Sequence, residues 1–203
     1  MRAPSYVPSP NVSNVVSFPV PPTDPDRELE LLAARDPRAI AAVYRTHHAK
    51  VRAFARRMLR DETAAEDVVH DAFVALPDAL KRFRGDASLG TFLMSIAVNL
   101  CRRRLRSAER GRRAVERLKL REVDNAVPTP ELSARRRELA AALSRGIASL
   151  SVEHREVFIL CAVEERTSPE VADILDVPPG TVRTRLFHAR KQLRSFLEKE
   201  GVR

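Results

Sequence analysis

Apolar residues along this chain recur at steps of three and four. Ile40, Val43, Tyr44, His47, Val51, Phe54, Ala55 and Met58 fall on one stripe of a long helix. The same period returns in Ala65, Val68, Val69, Ala72, Phe73, Leu76 and Leu80, and again in Phe92, Leu93, Ile96, Ala97, Leu100 and Leu105. No run alternates apolar and polar residues as a half-buried strand requires. Leu, Ala, Arg and Glu dominate, and glycine is scarce at 6 of 203 residues, so composition and period agree. The expected class is all-α.

Proline, glycine and capping residues divide that pattern. Pro4, Pro8, Pro10, Pro19, Pro21, Pro22 and Pro25 block helix in the first 25 residues and leave little apolar surface to bury. A disordered tail is expected there. A short helix from Arg27 to Ala34 should end at Asp36-Pro37, and Pro37 suits the first turn of the next helix. Asp61-Glu62-Thr63 offers caps to a third helix, Lys81 to Gly90 reads as a loop, and Thr91 can cap a fourth. Polar residues from about Lys119 to Pro130 suit an interdomain linker. Helix resumes at Glu131 with Leu132, Leu139, Leu143, Ile147 and Leu150 inward. Ser151 caps another helix running to about Glu164, and two more close the chain. The expected organisation is a tail (1–25), a first helical domain (26–112), a flexible linker (113–130) and a second small helical domain (131–203).

The formal charge is +9, and the 27 acidic residues cluster away from the basic runs. A polyanion-binding face with a separate protein-binding face fits that segregation. Cys101 and Cys161 lie far apart without zinc spacing, so two reduced thiols in a cytoplasmic protein are expected. Neither a signal-peptide pattern nor a run of roughly 18 apolar residues is present, and no direct membrane insertion is expected. No Ser/His/Asp set, metal site, paired acidic cleft or Gly-rich phosphate loop can be assembled. The chain should catalyse nothing and need no cofactor.

Ser168 to Leu186 carries the most specific signal. Ser168 is placed as a helix cap, with Pro169 and Glu170 favourable in the first turn. Ala172 is small enough for two helices to cross closely. Asp176 stands four residues on, where the chain must turn sharply, and tolerates the left-handed conformation. Val182, six further, plugs the angle between the helices. That register is the helix-turn-helix signature. The second helix presents Thr181, Arg183, Thr184, Arg185 and His188 near its N-terminal end, which enters a major groove; arginine there can read guanine or grip phosphate.

In the first half, Asp67, His70, Asp71 and Val74 share the helix face opposite the core stripe. The block Phe83-Arg84-Gly85-Asp86-Ala87-Ser88-Leu89-Gly90-Thr91-Phe92 follows, then Asn99 and a run of arginines from Arg102 to Arg113. Taken in order with the helix-turn-helix, these blocks resemble the extracytoplasmic-function (ECF) group of bacterial sigma factors. The likeness covers about Asp36 to Arg106 as sigma region 2 and Arg135 to Glu200 as region 4.

The resemblance implies roles and partners. Asp67, His70, Asp71 and Val74 fall where the family docks on the β′ clamp helices of core RNA polymerase, which also offers its β flap. Phe83, Arg84, Gly85, Asp86, Ser88 and Phe92 fall at the −10 element of promoter DNA, where a flipped base is captured. Asn99, Arg103 and Arg106 lie along the strands held apart there. Thr181, Arg183, Thr184, Arg185 and His188 fall on the helix that reads the −35 element. An anti-sigma factor is a further implied partner. The rival class is a stand-alone helix-turn-helix regulator with an N-terminal sensing domain. It accounts for Ser168 to Leu186 but leaves the first-half blocks without a role.

Overall fold

The computed structural model describes residues 25–116 and 134–201. Among the described residues eight α-helices run in order: α1 (Pro25–Ala33), α2 (Pro37–Leu59), α3 (Glu62–Ala79), α4 (Leu89–Glu116), α5 (Ala134–Ser149), α6 (Val152–Phe158), α7 (Ser168–Leu175) and α8 (Pro179–Lys199). A 3₁₀ turn follows α3 at Leu80–Arg82, and a π-helical turn, Ile159–Val163, extends α6. Among the described residues there is no strand. The first four helices pack as one domain and the last four as another. The tail expected over 1–25 lies outside the described residues except Pro25, which opens α1, and so does most of the expected linker.

Local chemistry sets the helix ends. Asp36 and Asp61 cap α2 and α3 through their carboxylates, and Ser151 caps α6. Two caps fall one to three residues from their expected places. α4 is capped by Ser88, whose Oγ accepts from the Thr91 amide at 3.1 Å. Thr91 is buried in the first turn and accepts from the Ser88 hydroxyl at 3.0 Å. α7 is capped by Thr167 in a reciprocal box with Glu170, and Ser168 is the first helical residue. The expected loop therefore closes at Ser88, and Gly90 sits inside α4. A methyl at Gly90 would lie 2.8 Å from His47 Cε1, so glycine lets α4 start against α2.

The stripes of α2, α3 and α4 bury Val51, Phe54, Met58, Val68, Leu76 and Leu93. Tyr44 departs from its stripe at 41% exposed and rests on Phe73, ring centroids 4.8 Å apart. Of the stripe expected from Leu132 to Leu150, Leu132 lies outside the described residues, Ile147 is half-buried and Leu150 is buried, but Leu139 is 46% and Leu143 36% exposed while Ala142 is buried. The cause is the approach of α8. A methyl on Gly146 would meet Leu193 Cδ1 at 2.5 Å, so α5 must offer its small residues to α8. Buried residues of both domains form one continuous cluster.

Candidate nucleic-acid interface

In the second domain α7 and α8 form the helix-turn-helix. Asp176 ends α7 in the left-handed conformation, φ 54° and ψ 54°, as its place in the register requires. Ala172 and Val182 are buried at the crossing. Helical phase then sorts the reading residues. Arg183, Thr184 and His188 are exposed, whereas Thr181 and Arg185 are half-buried. The Arg185 charge lies toward α6 and helps hold the Glu153 carboxyl below its ordinary value, behind the backbone and Ser151 hydrogen bonds. The Thr184 hydroxyl donates back to the Gly180 carbonyl at 3.1 Å. Phe187, absent from the expected set, is 64% exposed beside Arg183 and Thr184 and packs edge-on against His188. An aromatic out of phase with the stripe of Val182, Ala189 and Leu193 was the available signal.

In the first domain the expected −10 residues separate into three groups. Phe83, Arg84, Asp86, Phe92 and Asn99, with Arg82, line a recess of about 570 Å³. The Phe83 and Phe92 rings meet at 5.0 Å between centroids. Gly85 and Ser88 are not among its lining residues. Gly85 holds φ +80°, a conformation open to glycine at little cost, and Ser88 starts α4. Arg103 and Arg106 lie outside the recess, exposed along α4. With Asn99 and Arg110 they make an exposed line at i, i+4, i+7 and i+11.

Two other arginines of the run, Arg104 and Arg102, face protein. Arg104 bridges Asp67 at 3.1 Å and Asp71 at 2.9 Å, so the acidic face of α3 is pinned by α4. His70 and Val74 stay exposed beside it. Arg102 reaches across to the second domain, donating from Nε and Nη2 to the two Glu156 oxygens, both at 2.7 Å. The Glu156 side chain is fully buried. Burial pushes its carboxyl up, and the Arg102 contact pulls against that. Cys101 is buried next to them, its thiol pushed up to about 12 by burial first and by Glu156 second. Cys161 is half-buried and its thiol is also raised by burial. These thiols are poor nucleophiles. Among the described residues no cluster of His, Cys, Asp and Glu could hold a metal, and no helix is long and apolar enough to cross a membrane.

Two basic helices, one leading from an aromatic recess and one completing a helix-turn-helix, suit a two-domain, all-α DNA-binding protein. Comparison with known proteins gives the family. The sigma-70 region 2 model matches residues 43–111, and the sigma-70 region 4 model matches residues 140–193. The RNA polymerase sigma-H factor of Pseudomonas aeruginosa is 30% identical over 183 residues, which cover 85% of this chain and 94% of that protein. The ECF RNA polymerase sigma-E factor of Escherichia coli is 35% identical over 140 residues, 63% of this chain and 70% of that one. The solved sigma factor RpoE of Bartonella quintana, in complex with the anti-sigma factor NepR, shares the fold with a TM-score of 0.64 at 22% identity, over 78% of this chain and 96% of that one. The chain belongs to the ECF group of the sigma-70 family, non-enzymatic DNA-binding initiation factors that act with RNA polymerase.

Proposed function

We propose that this chain directs core RNA polymerase to promoters with a −35 and a −10 element and helps to melt the latter. The observation that carries the reading is the recess between Phe83, Phe92 and Asn99, continuous with the exposed line of Arg103 and Arg106. Aromatic and amide groups in a cavity suit an unstacked base, and a line of guanidinium groups suits the backbone running away from it. Trapping unpaired bases stabilises the melted state over the duplex without ATP. Arg183, Thr184, His188 and Phe187 form the open face of α8 for the −35 duplex. Arginine is suited to guanine or phosphate there, and Phe187 to a thymine methyl. Thr181 and Arg185 flank that face.

Docking on the β′ clamp helices is assigned to Asp67, His70, Asp71 and Val74, with Tyr44 as an apolar neighbour, and region 4 to the β flap. Two modest DNA sites gain avidity only when their separation is set, which polymerase supplies. An anti-sigma factor covering both domains is the regulator proposed, by analogy with the Bartonella quintana complex. The test is transcription in vitro by core polymerase on a genomic library, with start sites mapped with and without this protein. New, sequence-related start points are expected, and their loss with Asn99→Ala or Arg183→Ala. An unchanged start-site map would overturn the proposal.

A further inference from the structure

A histidine ring is poorly fixed by its own stereochemistry. The torsion that turns it is broad and roughly two-fold, so an exposed histidine can present either edge unless a neighbour holds it. His188 stands exposed on the reading face of α8, one residue after Phe187 and one turn after Thr184. It is nonetheless held from both sides. His154 of α6 lies against it with ring centroids 6.1 Å apart and planes inclined by 25°. Phe187 meets it edge-on, at 5.5 Å and 78°. Both separations lie in the range over which aromatic rings attract. The three rings make a ladder from α6 to the reading face.

The place of His154 in that ladder follows from local structure. Ser151 caps α6, and its Oγ accepts from the His154 amide at 3.4 Å. That bond puts His154 in the first turn of a helix that packs on α8. The ring Nδ1–H then donates to Gln192 Oε1 at 3.3 Å. Gln192 is one turn beyond His188, so a single imidazole braces two successive turns of α8. His154 is half-buried, whereas His188 and Gln192 are exposed. The apolar core does not depend on this contact, because Val157, Ile159 and Leu160 fill it from the same segment.

We infer that His154 is a positioning residue for −35 recognition, holding the His188 ring, and through it Phe187, in the orientation that meets the groove. The inference rests on the reading of α8 as the −35 helix. A neutral imidazole offers a donor on one nitrogen and an acceptor on the other. Turning the ring over exchanges the group shown to a base edge, and a base that pairs with one mismatches the other. A ring ordered before binding also loses less freedom on binding. His154 thus supplies specificity without itself reaching a base.

The test is transcription in vitro by core polymerase with the full chain, on promoters whose −35 element is randomised, read as base preference at each position. Arg183→Ala and His188→Ala mark the positions those two side chains read. His154→Ala should flatten preference at the His188 positions about twofold to tenfold, the range for ordering one side chain, and leave the Arg183 positions as in the parent. In the His188→Ala background it should change nothing further, since the two rings act as a unit. His154→Phe keeps a ring against His188 and should restore the preference. A uniform fall in transcription with unchanged preference overturns the inference, and so does an equal effect of His154→Ala with and without the His188 ring. An unchanged preference in His188→Ala beside an altered one in Arg183→Ala also overturns it, and leaves α8 as the −35 helix. If neither variant alters preference, the reading of α8 falls and the inference with it.

Discussion

Helices α4 and α8 are alike in sequence: each is long, basic and amphipathic, and each is assigned a DNA element. They differ in what their arginines do. On α8, Arg183, Arg190 and Arg194 are exposed, and among the described residues none is in an ion pair. On α4, Arg103 and Arg106 are exposed, but Arg104 is bound to Asp67 and Asp71 and Arg102 to Glu156. Consecutive helical residues are about 100° apart, so neighbours in a run of arginines meet different surroundings. An arginine's role here follows from helical phase and from the element opposite. The composition of the run does not decide it.

Four substitutions would break or sharpen that contrast. The largest effect is expected on the open helix. Arg183→Ala should lower −35-dependent initiation roughly fivefold to 150-fold, as expected for losing about 1–3 kcal/mol of base discrimination, read as the ratio of transcription from promoters with and without that element. Next is the base of the helix-turn-helix. Thr167→Ala removes the capping box of α7 and should cost the second domain about 1 kcal/mol, seen as a lower denaturant midpoint. The Thr167 hydrogen bonds hold the Glu170 carboxyl below its ordinary value of 4.5. The carboxylate part of that contribution is therefore complete above pH 4.5 and lost as pH falls through the lower folded value, so the gap between parent and variant should narrow in acid to what the Glu170 amide–Thr167 hydroxyl bond supplies.

A smaller effect is expected on the committed face of α4. Arg104→Ala removes two partly exposed ion pairs and should cost about 0.2–1 kcal/mol each by thermal melting, while loosening the acidic face of α3. The smallest concerns His47 beneath Gly90. Burial first, and Lys50 second, hold its ring below the ordinary value of 6.5. The folded ring stays neutral where the unfolded one takes a proton, so this contribution is present above pH 6.5 and lost as pH falls through the folded value. His47→Gln should flatten the fall in denaturant midpoint between pH 7.5 and pH 5.5.

The helical class and the helix-turn-helix were legible because both are local. A three-to-four period and the Ala172, Asp176, Val182 spacing depend on residues within one or two helices. Two caps were displaced because hydroxyl residues stand at both ends of each candidate turn: Ser88 with Thr91, and Thr167 with Ser168. Only the backbone conformation selects between them. The leucines of α5 were misplaced because the near approach of α8 at Gly146 outweighs the usual burial of the larger side chains. The division of the α4 arginines was hidden for another reason, that their partners lie on α3 and α6. One sign was available. Glu156 sits between Val152 and Ile159 on the inward stripe of α6, and a carboxylate there needs a cation from elsewhere.

The most direct test of this division is the salt dependence of oligothymidylate binding by the full chain carrying Arg103→Ala or Arg104→Ala. An arginine that neutralises one phosphate of single-stranded DNA adds about 0.7 to the log–log slope, and its removal takes that increment away. Arg103→Ala should show such a decrease and Arg104→Ala the parent slope. Equal decreases in the two variants would show that the run acts as undifferentiated charge and would contradict it.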